Sequence, residues 1–272
     1  MFEQYFGMKH TPFSRNVPPN ALYESPAMSD ALGRLAYAAD KQLFAVVTSD
    51  AGCGKTTLIR KFAASLPKDD YILLYLSDSK PTPRWFYKGL LDQLGIESRF
   101  YRGDAKRQLQ KEIEIIRGVH GQKVVCVLDE AHLLEKETIE EFRFLLNYRF
   151  DSMSPMALIL VGQNELWEEK LRLRRYAAVR QRIDINCVLP RLDRAETENY
   201  IRSHLNYAGC DQEIFTSRAI DEIFRISAGT MRVVNRICEK ALMYGCQQHR
   251  RLIDNQDIIF VSDHEMLKGG DT

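Results

Sequence analysis

Residues 49–57, Ser-Asp-Ala-Gly-Cys-Gly-Lys-Thr-Thr, stand between an apolar strand pattern, Leu43 to Thr48, and an apolar-periodic helix start at Leu58, Ile59 and Phe62. A glycine-rich turn that joins a strand to a helix is built to hold an anion. Gly52 and Gly54 let backbone N–H groups curl around phosphate with no Cβ in the way, and the helix N-terminus adds its partial positive charge. Lys55 is placed to reach the β- and γ-phosphates and Thr56 to set its hydroxyl on Mg²⁺, with Cys53 and Thr57 in the same cradle. One position departs from the pattern G-x-x-x-x-G-K-[ST]: Ser49 stands where the first glycine would be. The two inner glycines shape the cradle, so the loop predicts a nucleoside-triphosphate site.

The run Val-Val-Cys-Val-Leu at 124–128 ends in Asp129 and Glu130. An apolar strand that closes on two carboxylates supplies the other half of such a site. Asp129 is expected to hold the metal, directly or through water, and Glu130 to polarise the attacking water as general base. An acidic turn after a strand is the plain alternative. At the end of the next strand pattern, Ala157–Val161, Gln163 and Asn164 are polar groups where the sheet opens toward the γ-phosphate, and either can sense it or serve only the turn. His132 reads as a local hydrogen-bonding residue.

Strand patterns at 43–48, 71–76, 124–128, 157–161 and 183–189 alternate with helical patterns at 84–94, 104–117 and 136–149 and a basic helical stretch over 165–181. Alternation of this kind implies βαβ units and a parallel sheet with helices on both faces. Past Pro190 only helical patterns remain, at 194–208, 216–227, 230–247 and 254–260. The predicted organisation is an irregular aromatic- and proline-rich segment (1–27) packed on the core, an α/β nucleotide-binding domain (28–190), a smaller helical lid domain (191–265) and a tail (266–272).

Lys and Arg total 38 against 37 Asp and Glu, so net charge speaks neither for nor against a nucleic-acid partner. The six cysteines have no C-x-x-C spacing, which disfavours zinc and suits a reduced, cytoplasmic protein. With no apolar run of about 18 residues and no N-terminal h-region, a membrane span and a signal peptide are both disfavoured.

Arginines cluster at 172, 174, 175, 180 and 182, just before the last strand pattern. They form either a solvated helix face or a surface that meets a neighbour's nucleotide. A guanidinium set against the γ-phosphate in trans stabilises charge spread over its oxygens, and Arg182 is the residue expected in that role. Gly229-Thr-Met-Arg232 opens a helix of the second domain, where Arg232 can bring a further cation to the phosphates.

In this order, the phosphate loop, Asp-Glu strand, polar strand end, pre-strand arginine and Gly-x-x-Arg helix resemble an AAA+ ATPase over nearly the whole chain. The opening Tyr5-Phe-Gly-Met-Lys-His-Thr-Pro-Phe13, then Leu22-Tyr23, is similar to the ExeA-type branch, as is Gly162-Gln-Asn-Glu-Leu166. The resemblance implies a five-stranded parallel sheet with a helical lid, ATP and Mg²⁺ as cofactors, Lys55 and Thr56 as the Walker A pair, and Asp129 and Glu130 as the Walker B pair. It also implies Gln163 at sensor 1, Arg182 at the finger and Arg232 at sensor 2. Secretion members of the branch continue into a membrane span and a periplasmic region, whereas this chain stops at Thr272. That favours helpers of DNA transposition, similar to TnsC, IstB and MuB, which oligomerise on double-stranded DNA with ATP and direct a transposase. The alternative is a secretion-assembly ATPase with no DNA role.

Such helpers grip the duplex backbone with Lys, Arg and small polar groups. Lys80 and Arg84, Arg102 and Lys106, and Lys136 fit, although the same charges also fit an ordinary solvated surface. Trp85 and Tyr87 sit beside Arg84, and aromatics interleaved with cations can stack on bases, but their helical spacing is that of core residues and they are expected in the core.

Overall fold

The computed structural model describes residues 2–77, 82–145 and 154–265. Its chain falls into two compact units, one of residues 27–50 and 58–189, the other of 1–26, 51–57 and 190–272.

The first unit is a doubly covered α/β layer. After α1 (Phe2–Phe6), which belongs to the other unit, come α2 (Pro26–Lys41), β1 (Phe44–Thr48), α3 (Lys55–Ser65), β2 (Tyr71–Leu76), α4 (Pro83–Gln93), α5 (Arg102–Gly118), β3 (Lys123–Leu128), α6 (Lys136–Leu145), β4 (Ala157–Gly162), α7 (Ala177–Arg180) and β5 (Ile185–Val188). All five strands run parallel in the order β2-β3-β4-β1-β5. Every residue of β1 and β4 is buried, as continuous Val/Ile/Leu runs require when helices cover both faces. Phe44, Leu74, Phe86, Leu90, Leu109, Ile113, Val124, Phe142 and Leu158 are central to this core. The topology sets function: Thr48 pairs with Gly162 across β1 and β4, and Leu128 with Leu160 across β3 and β4. Residues just past these three strands therefore emerge side by side at the carboxyl edge, where open α/β sheets bind ligands.

Several predicted bounds move for local reasons. The basic stretch 165–181 is not one helix. A π-helical turn (Leu166–Leu171) and a 3₁₀ turn (Arg174–Tyr176) precede the short α7. Leu166 and Leu171, five apart, are both buried, a spacing the wider π turn serves. The last strand starts at Ile185, because the Asp184 carboxylate accepts the Phe44 N–H at 2.9 Å and closes that edge. Residues 146–149 of the helix expected to end there lie outside the described residues.

The second unit holds α8 (Arg194–Tyr207), α9 (Ser217–Ser227), α10 (Met231–Gln247) and α11 (Asn255–His264). Asp193 and Asp254 form capping boxes with Glu196 and Asp257, and Thr216 caps α9. Residues 2–26 join this unit, which corrects their expected placement on the nucleotide-binding core. The Lys9 N–H donates to the Ala208 carbonyl at 2.7 Å, Phe13 stacks on His204, and Tyr23 meets Tyr200 edge-on. The aromatics that made the segment look adhesive find their rings on α8. The segment is also partly regular, with α1 against α10 and a 3₁₀ turn at Pro19–Ala21.

None of the six cysteines forms a disulfide, and five are buried. Among the described residues no helix is long and apolar enough to cross a membrane.

Candidate nucleotide site

At the carboxyl edge of the sheet, Asp129 follows β3 and is buried. Its backbone N–H continues the ladder to the Leu76 carbonyl at 2.8 Å. Its carboxylate is fixed twice, accepting the Tyr75 hydroxyl at 2.7 Å on Oδ2 and the Glu130 N–H at 2.8 Å on Oδ1. Burial, and then the bond to Asp129, push the Tyr75 hydroxyl well above its ordinary pKa, so it stays a donor. Each carboxylate oxygen keeps a lone pair for a cation. Sequence reasoning missed Tyr75, because a tyrosine in a strand reads as an apolar residue.

Glu130 turns the chain with φ of 52°, in the left-handed region. Its carboxylate is half exposed and lies 3.5 Å from His132 Nδ1. The Gln163 N–H donates to the same Nδ1 at 3.3 Å, and the Gln163 side-chain amide lies 3.0 Å from His132 Nε2. His132 thus joins the two residues expected to activate water and to sense phosphate. Asn164 instead donates to the Asp50 carboxylate at 2.6 Å, which ties the turn after β4 to the turn after β1. That contact accords with the turn reading of Asn164. A Cβ on Gly162 would come within 3.0 Å of the His132 backbone nitrogen, so the glycine permits this close approach. Ser49 is fully buried and outside the positive-φ residues, which explains why a side chain is tolerated there.

In the loop 51–57, Gly52 and Gly54 have φ of 83° and 93°. Both are in the left-handed region that favours glycine. Cys53 is buried, and Lys55, the first residue of α3, is 8% exposed. The Gly52 carbonyl accepts the Arg232 N–H at 3.2 Å, and a Cβ on Gly52 would fall 2.9 Å from the Arg232 Cβ. Arg232 is the second residue of α10. Gly229, with φ of 75°, sets up that helix start: a Cβ there would lie 1.9 Å from the Leu192 carbonyl oxygen.

These features fit a magnesium nucleotide. Two left-handed glycines precede a helix that begins with a near-buried lysine. Among the described residues no cluster of three or more His, Cys, Asp or Glu suits a transition metal, whereas Mg²⁺ needs only one or two protein oxygens.

The arginine cluster separates into roles. Arg180 donates to the Leu171 and Arg172 carbonyls at 3.1 and 2.6 Å and so caps the π turn. Arg175 lies over the Tyr176 ring, and Arg182, half-buried, follows α7 with its N–H on the Val179 carbonyl. Among the expected DNA contacts, Lys80 lies outside the described residues. Arg102 and Lys106 both approach Glu141, at 3.5 and 3.8 Å, and Lys136 approaches Glu140 at 3.6 Å. Arg84 lies over the Phe100 ring at 4.2 Å. Tyr87 is core, as expected, with its hydroxyl on Glu141 at 2.7 Å. Trp85 is not, for it is 55% exposed.

A family described as an AAA domain matches residues 38–169. General secretion pathway protein A of Aeromonas hydrophila is 32% identical over 265 residues, 95% of this chain and 47% of that protein. The chain thus spans about half the length of this curated relative. Among solved structures, Aeropyrum pernix ORC2 in its ADPNP–ADP complexes has a TM-score of 0.71 at 13% identity, covering 96% of this chain and 72% of its own. Cdc6p of Pyrobaculum aerophilum gives 0.71 at 17%, covering 94% and 71%. Drosophila ORC bound to DNA gives 0.67 at 15%, covering 98% and 65%. At these identities the likeness is one of fold. Residues 38–169 thus match an AAA domain, and the five-stranded parallel sheet, with the loop and carboxylates at its strand ends, has the fold of AAA+ P-loop ATPases.

Proposed function

We propose that this ATPase oligomerises on double-stranded DNA with ATP bound and recruits or regulates a transposase. Backbone N–H groups of Gly52 to Thr57 and the Lys55 ammonium hold the phosphates. Thr56 and Asp129 would hold Mg²⁺, which would supply neutralisation of the charge developing on the phosphates. Glu130 orients a water and takes its proton as the water oxygen bonds to the γ-phosphorus and the bridging oxygen leaves with ADP. Gln163 contacts the γ-phosphate, Arg232 reaches the phosphates from α10, and Arg182 enters the site of a neighbouring protomer.

The DNA reading is carried by one observation. Arg84, Arg102 and Lys136 occupy the first or second position of α4, α5 and α6, where the helix's positive end disfavours a cation by roughly 0.3–1 kcal/mol each. Three charges set against their own helices are useful to a bound polyanion. The partners at Glu141 and Glu140 are long contacts that a phosphate can replace.

A second reading rests on the 32% identity to general secretion pathway protein A: ATP-driven assembly on a cell-envelope partner with no DNA. Microscopy and ATPase assays with Mg²⁺, ATP and duplex DNA separate the two. ATP-dependent rings or filaments on DNA, with stimulated turnover, are expected. Particles and turnover indifferent to DNA would overturn the first reading in favour of the second.

A further inference from the structure

Trp85, Phe100 and Tyr101 are 55%, 68% and 71% exposed. Three large rings left in water at the starts of α4 and α5 forgo the burial that drives folding. Each ring stands beside a cation. The Lys88 ammonium is 4.6 Å from the Trp85 ring centroid, the Arg84 guanidinium is 4.2 Å from that of Phe100, and Arg102 follows Tyr101 in the chain. Phe100 and Tyr101 meet edge-on at 5.3 Å. From Arg84 to Arg107 there are six cations (Arg84, Lys88, Arg99, Arg102, Lys106, Arg107) against three acids (Asp92, Glu97, Asp104).

The segment that presents the rings is braced. Gln108 of α5 accepts the Arg99 N–H at 3.1 Å and donates to the Glu97 carbonyl at 3.0 Å. The Tyr101 carbonyl accepts the N–H groups of Asp104 and Ala105, both at 3.0 Å. Rings held in place in advance lose little entropy on binding.

We propose that Trp85, Phe100 and Tyr101 form a stacking platform for unpaired bases, so that the protein engages single-stranded or locally opened DNA as well as duplex. The inference rests on the DNA reading above. Cations interleaved with exposed rings match what a single strand offers, a phosphate row beside a row of flat π-faces. The centre of a protein–protein contact is instead depleted in lysine, and Lys88 lies against the Trp85 ring.

The chain has two tryptophans, so Trp167→Phe leaves Trp85 as the sole indole reporter. With ATP and Mg²⁺ present, an oligothymidine single strand is expected to quench that fluorescence, and a plain duplex to bind with little quenching. Phe100→Leu with Tyr101→Leu keeps the surface apolar but removes the stacking faces. Single-strand affinity should then fall about ten-fold or more, as base–aromatic stacking of about 1–3 kcal/mol per base implies, while duplex affinity and thermal unfolding stay unchanged. Duplex binding with no quenching by single strands, or with unchanged single-strand affinity in the leucine variant, overturns the platform alone. Binding of neither DNA overturns the DNA reading and the platform with it. Loss of ATP-dependent self-association in the leucine variant without DNA assigns the rings to a protein contact and overturns the platform.

Discussion

His204 of α8 is 4% exposed, stacked on Phe13 with centroids 5.0 Å apart and tilted against Tyr200 at 4.6 Å. Its Nδ1 accepts the Phe13 N–H at 3.1 Å, which requires a neutral ring with the proton on Nε2. Burial holds its pKa down from 6.5 to about 4. Because the folded value lies below the unfolded one, the unfolded chain takes up a proton as pH falls through 6.5 and the folded chain does not until about 4. The stability contribution is therefore whole above 6.5 and is lost between 6.5 and 4. At pH 5 the loss is about 2 kcal/mol, at roughly 1.4 kcal/mol for each pH unit below 6.5, and near pH 4 it reaches about 3 kcal/mol. Protonation also removes the acceptor that holds Phe13, an aromatic residue at φ of 58°, in a conformation such residues avoid.

The perturbation is His204→Gln, which cannot titrate, and the assay is unfolding in urea at pH 7.5 and at pH 5.0. Wild type should lose about 2 kcal/mol more than the variant between the two, with the histidine resonance titrating near 4. Equal losses in both proteins would refute the linkage between this imidazole and the N-terminal segment.

Glu130→Gln should cut hydrolysis about a hundred-fold or more while leaving ATP affinity unchanged, measured by phosphate release and by equilibrium binding. Arg182→Ala should lower turnover and ATP-dependent assembly but spare nucleotide binding by the monomer; unchanged turnover at saturating DNA would rule out a role in trans. Gly229→Ala must push a Cβ into the Leu192 carbonyl at 1.9 Å and hold alanine at φ of 75°, so a loss of about 3 kcal/mol or more in urea unfolding is expected, with the Leu192 N–H to Gly229 carbonyl bond at 3.1 Å lost as well. Tyr75→Phe removes one of the two bonds that orient Asp129, and a several-fold rise in the Mg²⁺ concentration needed for half-maximal turnover, with unchanged thermal unfolding, would mark Tyr75 as a positioning residue.

The sheet and the phosphate loop were legible because their constraints are local. An apolar run, two glycines and Lys55 at a helix start carry their reason in adjacent residues, and the same holds for Asp129 after β3. Tyr75 was not legible, since its hydroxyl matters only through the β2–β3 pairing that brings it to the turn after β3. Trp85 was misread because its neighbours Phe86 and Tyr87 are buried, and periodicity over so few residues does not say which of three consecutive rings faces water. The N-terminal aromatics announced that they would pack; which surface received them depended on His204 and Ala208, some two hundred residues away.

Backbone strain sorts these features further. Five non-glycine residues have positive φ among the described residues: Phe13, Gln42, Glu130, Ala228 and His249. Gln42, Ala228 and His249 close α2, α9 and α10, where a left-handed residue commonly ends a helix. Phe13 is held by His204. Glu130 closes no helix but stands at the start of the 3₁₀ turn Ala131–Leu133. Its conformation is fixed by the Asp129 carboxylate on its own N–H and by the Leu133 N–H on its carbonyl at 2.9 Å, and asparagine or glycine would adopt it at lower cost. A carboxylate kept at a strained turn, half exposed and 3.5 Å from a histidine that meets Gln163, accords with the water-orienting role proposed for it and has no evident gain for the fold.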